Sequence, residues 1–296
     1  MSYNNQKIFA IILNYNSSQD TIPLYYQLKA YYEKYLNFLV IDNHSLHMDV
    51  SRLKRTIPRD QLIMNRKNFG YAGGNNIGIE VALSRGADYI WILNPDIRVS
   101  KECLPILLKT ITSNVSLAAV GARIHQRLNE DLIFSDGEVI DTEFSFHTHH
   151  KNFNKKSDEV PVKIDYDVDY IDGSCIILNS KAIKDVGKFS EEYFLYFEET
   201  DWCTRAKRMD WKLAVNRAAK VYNLTSNKKE IYHYYYTRNK LCFAKKFNFN
   251  YSALKKEETE KLFAEIKDRF RGKYFRPYFY YRLKGLIQGL LLTKKV

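Results

Sequence analysis

Apolar and polar positions alternate in blocks along the first two-thirds of the chain. Ile8–Leu13 (IFAIIL) is apolar throughout and stops at the polar turn Asn14-Tyr15-Asn16, the pattern of a strand buried on both faces of a parallel sheet. Asn37–Ile41, stopped by Asp42-Asn43, and Asp88–Leu93, stopped by Asn94-Pro95-Asp96, repeat it, with a shorter candidate at Ile63-Met64. Thr21–Tyr35, Ala72–Arg85 and Lys101–Ser113 instead place apolar residues at helical spacing. Further along, Ala118–Ala122 and Tyr170–Leu178 predict strands, Lys181–Val186 and Tyr232–Lys246 helices, and Lys212–Val215 and Ala219–Leu224 strand or loop segments. This alternation predicts an open α/β sheet with right-handed crossovers. Gln126–Asp165 is polar and aperiodic and reads as an exposed loop. Its His147, His149 and His150 lack the flanking cysteines or helical pattern of a metal site.

Asn14, Asp42 and Asp96 fall at the carboxyl ends of the predicted strands, the edge where doubly wound sheets bind ligands. Turn chemistry alone also favours Asn and Asp at such positions. Asn68-Phe69-Gly70-Tyr71-Ala72-Gly73-Gly74-Asn75-Asn76 is neither GxGxxG nor GxxxxGK[ST]. Glycines leading into a helix can still bring backbone N–H groups close to a phosphate or a sugar. Asp96 at a strand tip suits Mg²⁺ or Mn²⁺, which bind one or two carboxylates plus substrate phosphates; an Asx-type turn is the open alternative. Glu198-Glu199-Thr200-Asp201 gathers carboxylates behind the aromatic run Tyr193–Phe197. On a helix Glu198 and Asp201 share a face while Glu199 points elsewhere. Crowded carboxylates raise one another's pKa, as a general base requires. A solvated acidic helix start is the competing reading, against which stand FLYF before the acids and Trp202 after them.

Composition narrows the partners. The 296 residues carry 46 Lys and Arg against 34 Asp and Glu, a net charge of +12, which calls for an acidic partner. Eight of the basic residues lie from Arg269 onward with no acid among them, leaving 38 against 34 over the first 268 positions. That tail interleaves Arg271, Lys273, Arg276, Arg282 and Lys284 with Tyr274, Phe275, Tyr278, Phe279, Tyr280 and Tyr281. Leu283, Leu286, Ile287, Leu290 and Leu291 recur as one helical stripe before Lys294-Lys295, the pattern of an interfacial membrane helix. Packing against its own domain or a second subunit, as in a homodimer, is the alternative. No run of 18 apolar residues exists, so no helical span is expected. The six-residue run near the N-terminus is too short for a signal peptide. Cys103, Cys175, Cys203 and Cys242 are widely spaced, which points to a reducing, cytoplasmic setting and excludes a zinc ribbon.

Taken in order, LNYNS, VIDNHS, NRKNFGYAGGNN, WILNPDI, IDGSCIIL and FLYFEETDWCTRAK resemble the family 2 glycosyltransferases of GT-A fold. The bacterial rhamnosyltransferase-like branch of O-antigen and capsule synthesis is the nearest in look. The resemblance runs from about Ile8 to Lys246. It implies an α/β fold with a mixed, mostly parallel central sheet, a catalytic domain over 1–246 and a basic amphipathic helical extension over 247–296. It also implies inverting transfer of a sugar from a nucleoside diphosphate to an acceptor hydroxyl.

Residue by residue, the resemblance implies donor contacts from Asn14, Asn16, Asp42, Asn68, Gly70, Asn75, Asn94 and Asp96. Asp96 matches the DxD-like metal position, for Mg²⁺ or Mn²⁺. Glu199 matches the catalytic base, here Glu in place of the more usual Asp. Gly173, Glu198, Asp201 and Arg205 are expected on the acceptor side or in support. Asn223 stands where the family often has a histidine, which makes it a second candidate metal ligand; His233 reads as structural. Arg238-Asn239 match a recurrent pair without an assigned role. The expected donor is dTDP-rhamnose, with UDP-sugars as the alternative, and the expected acceptor is polyprenyl-linked or an oligosaccharide at the inner face of the plasma membrane. A nucleotidyltransferase would carry a Gly-rich basic loop where this chain has NYNSSQD, and a nucleic-acid binder would carry signatures that are missing.

Overall fold

The computed structural model describes residues 6–143, 145–224, 230–271, 274 and 277–294. Lys273, Phe275, Arg276 and Lys295 of the basic tail lie outside these. The chain forms two compact units. The first takes in Met1–Val139, His150–Glu192 and Glu198–Thr225; the second takes in Ile140–His149, Tyr193–Phe197 and Ser226–Val296.

In the first unit the elements run β1 (Ile8–Asn14), α1 (Ser18–Tyr32), β2 (Leu36–Asp42), α2 (His47–Thr56), β3 (Leu62–Met64), α3 (Gly70–Ser84) and β4 (Tyr89–Leu93). β5 (Arg98–Val99), α4 (Cys103–Ser113), β6 (Leu117–Gln126) and β7 (Asn129–Ser135) follow. The chain then makes a two-stranded ribbon of β8 (Glu138–Asp141) and β9 (His147–His150), of which Ile140–Asp141 and His147–His149 count with the second unit. β10 (Ile164–Asp165), β11 (Cys175–Asn179), α5 (Ser180–Val186), α6 (Glu198–Arg208) and β12 (Lys212–Asn223) complete the unit.

The main sheet has the order β10-β12-β6-β11-β4-β1-β2-β3. β3, β2, β1 and β4 are mutually parallel, as are β6 and β12. β11 runs antiparallel between β4 and β6. The sheet is therefore mixed rather than a simple doubly wound one. β11 enters it from the edge that β1, β2 and β4 leave, so the residues just before β11 join the residues just after the parallel strands. The Asn94 amide donates to the Ser174 carbonyl at that edge, 2.9 Å away.

The two faces of β1 explain the helix placement. Ile8, Ala10 and Ile12 pack in one core with Leu24 and Leu28 of α1, Leu53 of α2 and Leu107 of α4. Ile11 and Leu13 point the other way, toward α3. A Cβ on Gly74 would lie 2.4 Å from Leu13, and one on Gly78 would lie 2.9 Å from Ile11. These glycines, one helical turn apart, let α3 lie directly on the strand. They serve packing, and of the glycines at the start of α3 only Gly70, with φ of +73°, takes up left-handed geometry.

Several elements depart from the sequence reading. Gln126–Asp165 holds β7 to β10 instead of an open loop, because short strands whose outer faces are polar carry no apolar period. Lys212–Asn223 is one strand with a register shift between Asn216 and Lys220, not two segments. α2 escaped notice since only Leu53 of its ten residues is buried.

The second unit is built on α7 (Glu230–Phe247), α8 (Tyr251–Phe270) and α9 (Phe279–Thr293). Phe146, Tyr193, Phe197, Phe243, Phe247 and Leu286 belong to its core. A Cβ at Gly285 would come 2.5 Å from the Tyr234 carbonyl, and one at Gly289 would come 3.1 Å from the Arg238 carbonyl. Two glycines four residues apart thus seat α9 tightly on α7. This divides the expected apolar stripe: Leu286 is buried and Leu283 and Leu290 join the core, whereas Ile287 and Leu291 stay exposed. Among the described residues, no helix is long and apolar enough to cross a membrane.

Candidate active site

The carboxyl edge of the sheet brings most of the singled-out residues together. Asn14 and Asp42 end adjacent strands in direct register and are fully buried. The Asn14 amide donates to Asp42 Oδ1 (3.0 Å), Ser45 Oγ (3.0 Å) and Asp49 Oδ2 (2.7 Å), while its oxygen accepts from Thr21 (2.7 Å). Asp42 Oδ2 accepts the Ser45 amide at 3.1 Å. Asn14 therefore uses its hydrogen-bonding capacity on the starts of α1 and α2, and Asp42 uses its own on Asn14 and the loop into α2. Asn16, exposed and left-handed with φ of +53°, caps that loop through the Leu46 amide, 2.7 Å from its Oδ1.

The glycine-bearing segment hangs on Asn43. Its amide donates to Asn68 Oδ1 and the Gly70 carbonyl, both at 2.9 Å, and its oxygen accepts from Asn65 and from the Phe69 amide. Asn68 Oδ1 also accepts the Gly70 amide at 2.8 Å. One turn into α3, Asn75 donates to the Tyr71 carbonyl, and its buried Oδ1 has no hydrogen-bond partner. An unmatched buried acceptor beside a polar edge is suited to a ligand hydroxyl or amide.

Asn94 and Asp96 follow β4, both half-buried. Burial raises the Asp96 carboxyl above the ordinary range, and the charges of Asp20 and Asp172 add to the effect while Arg98 opposes it. Arg127 Nη1 donates to the Asp96 carbonyl at 3.3 Å. Burial, then the neighbouring Arg127 charge, lowers the Arg98 pKa. Across the β5–β12 ladder Tyr222 faces Arg98, which brings Asn223 alongside the turn of Asp96. Asn223 Oδ1 is buried without a hydrogen bond. A carboxylate crowded by other acids plus an orphaned amide oxygen is a hard oxygen donor set, which fits Mg²⁺ or Mn²⁺.

Glu198 to Asp201 open α6. Glu198 is 1% exposed and Asp201 fully buried. Asp201 holds Arg205 Nε at 2.6 Å, and the Arg205 guanidinium donates to the carbonyls of Val186 and Lys188. That pair fastens α6 to the turn after α5, a supporting role. Glu199 is the half-buried acid. Burial first, and then the Asp172 charge, pushes its carboxyl up to about 7, against the pull of the Gly173 amide. The Tyr71 hydroxyl donates to the Gly173 carbonyl. A Cβ at Gly173 would approach that hydroxyl to 2.9 Å and Glu199 Cδ to 3.4 Å. A half-buried carboxylate poised near neutrality can take a proton from a hydroxyl.

Sequence reasoning gave no role to Asn43, Tyr71, Glu138 or Asp172, and it read His150 as an exposed loop residue. Asp172 lies inside what reads as one long strand, Tyr170–Leu178; only the antiparallel course of β11 puts it on the edge. Its charge acts on Asp96, Glu138 and Glu199 alike. Among the three loop histidines, His150 reaches Glu138 at 2.6 Å and His147 reaches Glu257 at 3.4 Å, so they do not converge. In the second unit His233 stacks on Tyr278 with ring centres 4.6 Å apart, a packing role. Asn239 donates to the carbonyls of Tyr193, Leu195 and Tyr196, and Arg238 to that of Tyr193. The pair braces a segment with Phe194, Tyr196 and Phe197 in the left-handed region.

Comparison with known proteins agrees with this geometry. The chain is 30% identical over 210 residues to the low-salt glycan biosynthesis hexosyltransferase Agl10 of Haloferax volcanii, covering 67% of this chain and 61% of that protein. It is 24% identical over 211 residues to the dTDP-rhamnosyl transferase RfbF of Shigella flexneri, covering 68% and 63%. The chain thus spans about three-fifths of the length of the curated relatives it matches. Among solved structures, the mannosyltransferase PcManGT of Pyrobaculum calidifontis, in complex with GDP-Man and Mn²⁺, matches with a TM-score of 0.60 at 11% identity, over 99% of this chain and 88% of that one. GalNAc-T7 with UDP, GalNAc and Mn²⁺ matches with a TM-score of 0.63 at 13% identity, over 81% and 51%. The shared architecture is the GT-A fold. The family model for glycosyl transferase family 2 matches residues 9–187, more than half of the sequence, and the chain belongs to that family.

Proposed function

We propose that the protein is a metal-dependent inverting glycosyltransferase that moves a hexose, L-rhamnose from dTDP-rhamnose, onto a hydroxyl of a polyprenyl-linked or oligosaccharide acceptor. The observation that carries the reading is Glu199: a half-buried carboxyl held near neutrality, close to Asp172 and on the sheet edge that also presents Asp96. Rhamnose as the donor sugar rests on the name of the Shigella relative; the GT-A neighbours carry UDP or GDP-Man with Mn²⁺.

In this reading Glu199 accepts the proton of the acceptor hydroxyl as the new bond to the anomeric carbon forms. The bond to the diphosphate breaks on the opposite face, so the configuration inverts. The transition state has oxocarbenium character. Asp96, with Asn223, would hold Mg²⁺ or Mn²⁺, which supplies Lewis-acid stabilisation of the departing diphosphate. Arg98 and Arg127 add positive charge beside Asp96. Asn14 and Asp42 fix the loop that carries Asn16, and Asn68, Gly70 and Asn75 face the donor from the start of α3. Gly173 leaves room at the base, and Glu198, Asp201 and Arg205 hold α6.

Residues 1–246 carry this chemistry in the proposal, and 247–296 are the extension that meets an anionic membrane surface in the cytoplasm. Exposed Tyr280, Ile287 and Leu291 beside Lys284 support that surface. The test is a panel of nucleotide sugars with Mn²⁺, in which release of nucleoside diphosphate is measured. Release from dTDP-rhamnose above the UDP-sugars supports the reading; release of pyrophosphate would replace it with nucleotidyl transfer.

A further inference from the structure

We propose that Glu138, His150 and Asp172 form a second divalent-cation site, apart from Asp96, that takes an ion of the Zn²⁺ class. The three residues each offer one ligand atom, and these atoms all lie within 4.8 Å of one another. His150 Nδ1 is already 2.6 Å from Glu138 Oε1. A zinc ion with bonds of about 2 Å to nitrogen and carboxylate oxygen needs only small closure of such a set.

The independent sign is the state of Glu138. Its side chain is 1% exposed. Oε1 accepts from Ser135 Oγ at 2.8 Å as well as facing His150, but Oε2 is buried with no hydrogen bond at all. Leaving a carboxylate oxygen buried and unmatched is costly unless a cation meets it. Among the described residues neither Glu138 nor Asp172 has a Lys or Arg partner, and His150 is the one basic group within ion-pair distance of Glu138.

The surroundings favour ligation over a plain hydrogen bond. The His150 ring is held against Phe134 at 4.6 Å and Phe153 at 5.9 Å, so its direction is set before any ion arrives. Its side chain is 38% exposed, which gives an ion a way in. One imidazole nitrogen with two carboxylates suits Zn²⁺ better than Mg²⁺, which prefers an all-oxygen shell. Three protein ligands leave an open position, as in zinc sites that admit water or substrate. Glu138 opens β8 and His150 closes β9, so both stand at the same, open end of the ribbon. An ion there ties Glu138 and His150 to Asp172, the residue before Gly173.

The test uses the full chain stripped with EDTA and titrated with Zn²⁺ against a chromophoric chelator, with thermal unfolding followed in parallel. Zn²⁺ is expected to bind and raise the Tm in the wild type and in Asp96→Asn. His150→Ala and Glu138→Gln are expected to weaken binding by at least about tenfold and to lose the Tm rise. His150 is partly exposed, so His150→Ala carries the test even if Glu138→Gln fails to fold. Undiminished Zn²⁺ affinity in His150→Ala, or no binding to the wild type, would overturn the proposal. The readout is metal binding, so the result stands whether or not sugar transfer is observed.

Discussion

The Tyr71 hydroxyl donates a 2.5 Å hydrogen bond to the carbonyl oxygen of Gly173, joining the first turn of α3 to the residues that lead into β11. The amide of the same glycine faces the Glu199 carboxyl. One residue without a side chain thus lies between a half-buried phenol and the proposed base. Burial, with the Glu199 and Glu198 charges, holds the Tyr71 phenol well above its usual range, so it stays a donor at any working pH. A Cβ at Gly173 would meet Tyr71 Oη at 2.9 Å and Glu199 Cδ at 3.4 Å. Gly173→Ala is therefore expected to displace one partner or the other. The expected outcome is a loss of about 1–3 kcal/mol in stability, typical of overpacking, and a larger proportional loss in kcat, measured by thermal unfolding and donor turnover.

Glu199 gives a prediction with two opposite signs. Its carboxyl is raised from 4.5 to about 7, so the base is ionised, and transfer rises, as the pH passes up through that value. For stability, a carboxyl raised in the folded state binds its proton more tightly there than in the unfolded chain. Its contribution is present below the unfolded value and is lost as the pH rises through about 7. Glu199→Gln is expected to lower kcat by about 10²–10⁴-fold and yet to stabilise the fold at pH 8 by something on the order of 1–3 kcal/mol, seen as a higher Tm. Wild-type turnover in the variant would remove Glu199 from the role of base.

The parts of the fold that could be read from sequence are those with both faces buried. β1, β2 and β4 are continuous apolar runs because helices cover each side, and their polar stops at Asn14, Asp42 and Asn94 mark one edge for the same reason. β7 to β10 are short and partly exposed, so NEDLIFS and HTHH show no usable period. The acids before Trp202 are legible because they interrupt an aromatic run. Asp172 is not, since its position depends on the direction of β11, which periodicity does not encode. Glu138 and His150 meet only through the β8–β9 ribbon, and neither lies in a motif. The glycines of α3 were visible, but their use in packing against Leu13 and Ile11 needed the register of helix on strand.

Asp96 is expected to matter through its charge and not through its fold. Burial and the acids Asp20 and Asp172 raise its carboxyl, which a bound divalent ion would relieve. Asp96→Asn keeps the shape and removes the charge. Transfer is expected to fall on the order of a thousandfold, equivalent to several kcal/mol of lost Lewis-acid stabilisation. EDTA should inactivate the wild type, and Mn²⁺ should restore it. Retention of the Mn²⁺-dependent thermal shift with nucleoside diphosphate in the variant would count against this placement.

Asn239 holds a strained piece of backbone in the second unit. Its amide reaches three carbonyls, of Tyr193, Leu195 and Tyr196, at 2.8–3.0 Å. Phe194, Tyr196 and Phe197 have φ of +66°, +69° and +79°, each disfavoured for a side-chain-bearing residue. Asn239→Ala removes the amide donor to Leu195 and Tyr196, while Arg238 still serves the Tyr193 carbonyl, at a cost of about 1–3 kcal/mol. A lower Tm and faster protease cleavage between 193 and 197 are the expected outcomes.

The α9 surface separates a membrane role from a packing role. Removing the whole tail would confound the two, because Leu286 is 5% exposed and Gly285 and Gly289 seat the helix against α7. Ile287 and Leu291, at 51% and 55% exposure, contribute little to that packing. They lie one turn apart beside Tyr280 and Lys284, the arrangement of an interfacial helix. Ile287→Ser with Leu291→Ser should leave the Tm nearly unchanged while reducing sedimentation with anionic liposomes. Replacing Lys284 and Lys294 by Gln should reduce it further, by about 1 kcal/mol per charge at low salt. Liposome binding that survives both sets of substitutions would place the contact elsewhere on the chain.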